Sequence, residues 1–185
     1  HPIMEKEGLA ARPYADDRLK TWRDPFTGMQ HLHPSTGLIV SGAIDDLWET
    51  GDGELMIVDY KATAKEGRID TLAESSWEKQ YRRQIGVYQW LFKQAGFLVH
   101  PTAYFLYANA DVTREEFAET LHFETTLIPI RGETDWIEPT LVEILECLNR
   151  VDLPPVGDTC EYCQYREAAG RKLLTIHNEQ KRSES

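Results

Sequence analysis

Asp59 and Lys61 stand one residue apart in IVDYKATAK, Ile57 to Lys65, a stretch that begins like a buried strand. Side chains alternate across a strand. Leu55, Ile57, Asp59, Lys61 and Thr63 therefore share one face, and Met56, Val58 and Tyr60 the other. Asp59 and Lys61 are then about 7 Å apart along a largely apolar face. The preceding run, GLIVSGAIDDLWET, reads as a strand from Leu38 to Glu49, and the GDG at 51–53 is a turn signal. With that turn Thr50 faces Glu54. Stepping outward along both strands brings Asp45 opposite Asp59, with Cβ atoms about 4.5–5.5 Å apart. Asp46 points the other way.

Two carboxylates that close repel each other unless a cation or a shared proton lies between them. Such oxygens suit a hard cation, Mg²⁺ or Mn²⁺. A metal there would leave positions for water and a phosphate oxygen, with Lys61 orienting the water or neutralising developing charge. An ordinary Asp–Lys bridge on a solvated strand face accounts equally well for D-x-K alone. Asp45 in register, after a glycine and before a turn, sets the metal reading beside it.

The elements that must position these groups are also legible. SSWEKQYRRQIGVYQWLFKQAG has helical spacing, with Ser75 or Ser76 as cap and Gly96 as stop. Its apolar stripe runs through Trp77, Tyr81, Ile85, Tyr88, Leu91, Phe92 and Ala95. Gln84 falls inside that stripe, and a buried amide needs partners, at a site or at a sheet-edge carbonyl. Lys79, Arg82 and Arg83 gather on the adjoining side, as phosphate ligands or as a solvated face. HPTAYFLYAN and ETLHFETTLIPI are expected to be the third and fourth strands. WIEPTLVEILECLNRV is a second helix, with Pro139 in its first turn.

Residues 1–37, punctuated by prolines and glycines, are expected to be irregular, with a short helix near Ala15–Trp22. DLPPVGDTCEYCQYREAAGRK reads as a loop leading to a polar tail over 171–185. The order is mixed α/β, with the main domain at 38–170.

The chain has 185 residues, enough for one domain with a full core. No apolar run reaches the roughly 18 residues of a membrane span. A net charge of −11 argues against a general nucleic-acid coat but leaves room for a local basic groove. Cys147, Cys160 and Cys163 are too few for a secreted disulfide framework, so a reducing cytoplasm is expected. No signal peptide is visible, and Met4 stands inside HPIMEK, as in a fragment whose natural N-terminus is missing.

On these residues the chain resembles a known family. SGAIDDLW followed by LMIVDYKAT resembles the G-x-x-D and D-x-K motifs of the PD-(D/E)XK nuclease superfamily. QIGVY, Gln84 to Tyr88, resembles the Q-x-x-x-Y motif of its RecB-like branch, which includes RecB and AddB nuclease domains and the CRISPR-associated RecB-like exonucleases. The resemblance implies a restriction-endonuclease-like α/β core, a mixed central sheet flanked by helices. It also implies Mg²⁺- or Mn²⁺-dependent cleavage of DNA. Asp45, Asp59 and the carbonyl of Tyr60 would be metal ligands, and Lys61 the catalytic lysine. Gln84 and Tyr88 would sit beside the site, touching Lys61 or the DNA backbone. The alternative is a catalytically silent nucleic-acid-binding or scaffold module on the same fold.

Two departures stand out. Members of this branch often carry a histidine ligand on an upstream helix. Here His31 and His33 lie in HLHP, where they read as surface histidines of a Pro-rich loop. CEYCQYREAAG resembles the cysteine segment of iron–sulfur members, but the next expected cysteine is Ala169, and Cys147 reads as core packing with Ile144 and Leu148. A complete cluster, which takes four thiolates, is therefore not expected. A redox or zinc protein centred on Cys160 and Cys163 is a third reading.

Overall fold

The tight turn at Gly51–Gly53 closes the hairpin in the expected register. Thr50 N–H donates to Glu54 O at 3.0 Å. Strands β4 (Asp46–Thr50) and β5 (Leu55–Thr63) then pair Asp46 with Val58 through Glu49 with Leu55. The computed structural model describes residues 2–71, 76–113 and 119–183. Ser75 lies outside the described residues, as do the side chains of Ser76 and Trp77, so the expected helix cap falls outside them too. The chain divides into two units, His1–Leu145 and Glu146–Ser185.

The first unit holds the sheet. Its five strands run in the order β1-β4-β5-β6-β7, adding β1 (Ala11–Pro13), β6 (Thr102–Ala110) and β7 (Phe123–Arg131). Only β5 and β6 pair in parallel. The crossover between them carries helix α3 (Ser76–Gln94), as parallel strands require a long connection. Phe97 N–H donates to Phe92 O and closes the helix at Gly96, as its sequence suggested.

Ile85, Leu91 and Phe92 of α3 pack with Leu47, Leu55, Ile57, Ala103 and Phe105 on one side of the sheet. Trp48, Met56 and Val58 face the other way, against Ile3 and Met4. The alternation along β5 is thus as expected, and both of its faces are buried from Leu55 to Asp59.

Five expectations need correction. The single strand Leu38–Glu49 is broken into β3 (Ile39–Gly42) and β4, and β3 pairs with β2 (Met29–Leu32) as a separate two-stranded sheet. Ile44 N–H donates to Trp22 O at 3.0 Å, so the ladder cannot run through this position. Residues 2–37 are less irregular than expected, and the short helix expected near Ala15–Trp22 is among their elements. They contain α1 (Pro2–Lys6), β1, α2 (Leu19–Trp22) and β2. Pro13 is tolerated because β1 is an edge strand.

The expected loop and tail after Asp152 contain helix α5 (Glu161–Ser183). Beyond Pro155 no proline interrupts a run rich in Glu, Arg, Lys, Gln and Leu, all good helix formers. Helix α4 (Ile137–Leu148) buries Ile137 and Leu141, whereas Ile144 and Leu148 are exposed and so is Cys147, which is not a core residue.

The histidines of HLHP are not surface groups either. His33 is 4% exposed. Its Nδ1 meets Thr36 Oγ1 at 2.8 Å and its Nε2 meets Glu138 Oε2 at 2.7 Å, while Trp90 Nε1 donates to Glu138 Oε1 at 3.0 Å. His31 sets its ring edge-on to Trp90, with centroids 5.2 Å apart. Glu138 thereby ties α4 to α3 and to the end of β2, and the His33 bond holds its carboxyl below the ordinary glutamate range.

A depressed carboxyl pKa stabilises the fold above the unfolded value, and that contribution is lost as pH falls through the folded value. Urea unfolding followed downward from about pH 4.5 should show a steeper loss of stability in the wild type than in Glu138→Gln.

Candidate active site

Asp59 is buried in β5, 2% exposed. Lys61 Nζ lies 2.5 Å from Asp59 Oδ2 as an ion pair, outside hydrogen-bond angles, and no donor among the described residues serves that buried oxygen. The ammonium donates instead to Gln84 Oε1 at 3.2 Å and sits 4.4 Å from the Tyr81 ring centroid. Gln84 Nε2 in turn donates to Tyr88 OH at 2.8 Å. Asp45, just before β4, accepts Tyr60 N–H at 2.7 Å through Oδ2. The hairpin and α3 thus bring Asp59, Lys61, Gln84 and Tyr88 into one chain of contacts, with Asp45 on the amide of Tyr60, and the half-buried Gln84 amide has a partner at each end.

The electrostatics follow from this packing. Burial pushes the Asp59 carboxyl above the ordinary range, Lys61 opposes the shift, and the charge of Asp45 adds to it. The Tyr88 phenol is raised by burial first. Gln84 opposes that shift, while Asp59 and then Asp45 reinforce it. Tyr88 thus feels both carboxylates, and Asp59 feels Asp45.

Gly42 explains why the chain needs a glycine three residues before Asp45. A Cβ there would stand 2.8 Å from Tyr88 Cε1 and 3.1 Å from Cδ1. The glycine of one motif is the space occupied by the tyrosine of the other.

Asp46 faces away, as expected, and holds a second polar network. It accepts Tyr60 OH at 2.6 Å and Trp48 Nε1 at 3.2 Å, and pairs with Arg23. Burial, followed by the bond to Asp46, pushes the Tyr60 phenol well above its usual range. Sequence reading missed Arg23 because nothing local links it to Asp46.

A cleft of about 410 Å³ opens beside Lys61, lined by Thr63, Lys65, Arg68, Tyr81 and Tyr107 among others. Lys65, the last residue of IVDYKATAK, was also missed. Asn109 clamps its loop, accepting Lys65 N–H at 2.9 Å and donating to the carbonyls of Lys65 and Gly67. Lys79, Arg82 and Arg83 are elsewhere. They are exposed on the flank of α3 turned away from Gln84 and Tyr88, in a pocket with Arg131, Glu133 and Trp136. At roughly 100° per residue, 79, 82, 83 and 86 form one stripe and 81, 84 and 88 another.

A profile of the PD-(D/E)XK nuclease superfamily matches residues 2–168. The chain belongs to that superfamily. Comparison with curated proteins returned no match. The helix-flanked mixed sheet is the restriction-endonuclease-like core of PD-(D/E)XK proteins, a superfamily of nucleases that typically use divalent cations. Here the chemistry of the site fits such an ion. Two carboxylates coupled through space, one with a buried oxygen whose partner is the Lys61 ammonium alone among the described residues, form an oxygen-rich set for a hard cation. Among the described residues no cluster of three or more His, Cys, Asp or Glu side chains is arranged to hold a metal.

Gly42→Ala should cost about 1–3 kcal/mol by overpacking against Tyr88. In urea unfolding most of that loss should disappear when the same change is made in a Tyr88→Ala background.

Proposed function

We propose that this chain is a RecB-like deoxyribonuclease that hydrolyses DNA phosphodiester bonds with Mg²⁺ or Mn²⁺. The observation that carries the reading is the unbroken contact from Asp59 through Lys61 and Gln84 to Tyr88, with Asp45 fixed on the amide of Tyr60. The D-x-K and Q-x-x-x-Y residues meet at one place, and they do so through their polar atoms.

Asp45, Asp59 and the Tyr60 carbonyl would hold the cation, which when bound supplies Lewis-acid polarisation of the phosphate and an activated water. Asp45 is oriented by a backbone N–H, and Asp59 is held in a buried position beside Lys61. Lys61 Nζ lies between a carboxylate and an amide oxygen and presents positive charge where the phosphate gains negative charge. Gln84 aims that ammonium, and Tyr88 OH holds Gln84. DNA cleavage of the exonuclease type, in a cytoplasmic setting, is the form we favour. The three free thiols suit a reducing compartment.

A second reading is a catalytically silent nucleic-acid-binding module. It draws support from the lack of a third ligand side chain among the described residues. Labelled single- and double-stranded DNA incubated with Mg²⁺, Mn²⁺ or EDTA separates the two. Cleavage should require metal and fall by about 100-fold or more in Asp59→Ala and Lys61→Ala. DNA binding should survive Lys61→Ala, because affinity rests on several phosphate contacts. Binding without cleavage under any metal would establish the silent module, and undiminished cleavage by both variants would place the activity elsewhere.

We also propose that the chain carries no complete iron–sulfur cluster. Cys160 and Cys163 flank the start of α5, where hydrogen bonds from the Cys163 backbone and side chain lower the Cys160 thiol and the side-chain bond to Cys160 raises the Cys163 thiol. Two thiolates supply half of the usual four ligands. Anaerobically purified protein should contain neither iron nor sulfide in stoichiometric amount, and about four irons per chain with a visible charge-transfer band would reverse this reading.

A further inference from the structure

The pocket on the far flank of α3 has a charge balance unlike the rest of its unit. Lys79, Arg82, Arg83 and Arg131 converge there, around a space of about 320 Å³. None of the four has a carboxylate within ion-pair distance among the described residues. Every other described arginine of this unit has one. Arg12 holds Glu49, Arg18 holds Asp16, Arg23 holds Asp46, and Arg68 holds Asp70 and Glu124. The chain has 31 acidic residues against 20 Lys and Arg, so unpaired cations in one place are not a matter of short supply.

The pocket is also built rigidly. Trp136 Nε1 donates to Glu133 O at 2.8 Å, which fixes the ring. The Arg83 guanidinium lies over that ring, 5.6 Å from its centroid. A guanidinium over an aromatic face can keep its N–H edges for a phosphate. The connection from β7 to α4 is seated hard on the helix. A Cβ on Gly86 would come within 2.4 Å of Glu133 O.

We propose that this pocket binds backbone phosphates of a single-stranded nucleic acid that also occupies the Lys61 cleft. The assignment rests on the nuclease reading for its ligand class. The two spaces share no lining residue and lie on different flanks of α3. A strand in both must turn around a helix about 10–12 Å across. A duplex, with a persistence length of about 50 nm, cannot follow that path, whereas a single strand can. Trp136 is a positioning residue, acting through Arg83.

The test is fluorescence anisotropy in EDTA over a range of salt, with a labelled single strand of about 20 nucleotides, longer than the usual footprint of a single-strand groove. Arg83→Ala/Arg131→Ala should weaken binding about tenfold and reduce the salt slope by about 1.4, two contacts at about 0.7 each. Trp136→Leu should weaken binding and leave the slope unchanged, because no charge is lost. A blunt duplex should bind both variants as it binds the wild type.

Wild-type affinity and slope in the double variant would overturn the proposal. So would an equal loss on the duplex, or displacement of the strand by inorganic pyrophosphate at equal concentration. If no metal supports cleavage but the single strand behaves as described, the nuclease reading fails and the pocket stands. If cleavage occurs but the double variant binds normally, the pocket fails alone.

Discussion

Burying a carboxylate beside an ammonium in the middle of a sheet is the constraint to which the surrounding structure answers. Asp59 and Lys61 leave water to meet each other, and the attraction between them does not by itself offset the desolvation of both. Their neighbours supply the difference. Gln84 gives the ammonium an oxygen, Tyr81 gives it a ring face, and Tyr88 holds Gln84 in place. These three residues come from one helical stripe, so the orientation of α3 about its own axis is set by polar contacts as well as by Ile85, Leu91 and Phe92.

The same strand carries a second polar network on its opposite face. Tyr60 turns its hydroxyl to Asp46 while its amide donates to Asp45. One residue therefore connects both members of the Asp45–Asp46 pair, and the adjacent carboxylates are held on opposite sides of the sheet. Asp45 is free to do so because β3 and β4 are separate strands, and the Ile44–Trp22 bond keeps them separate. A continuous strand would have committed the Asp45 backbone to the ladder.

What was legible in the chain follows the range of the forces involved. The hairpin register could be read because a short turn and a two-residue period leave one solution. Helix α3 could be read because its stripe and its Gly96 stop agree. The break at Ala43–Asp45 could not, since its apolar alternation continues and the interrupting carbonyl belongs to Trp22, far back in the chain. Helix α1 and strand β1 are too short to announce themselves, and they exist because Trp48 and β4 offer them a surface and an edge. His33 was misread for a similar reason: its partner, Glu138, is distant in sequence. The flank occupied by Lys79, Arg82 and Arg83 was within reach of helical rotation alone, and the adjoining side was the wrong assignment.

The parallel pairing of β5 with β6 decides when the site comes into being. The hairpin can form from neighbouring residues, but the far edge of β5 stays open until Thr102–Ala110 has been synthesised and has crossed back over α3. Before that, Asp59 and Lys61 face water, where an ion pair contributes little, and Phe105 is not yet opposite Asp59. Such non-local closure belongs to the slow steps of folding. A chain cut between α3 and β6 would carry all three motifs in its sequence and still lack the buried setting that joins them.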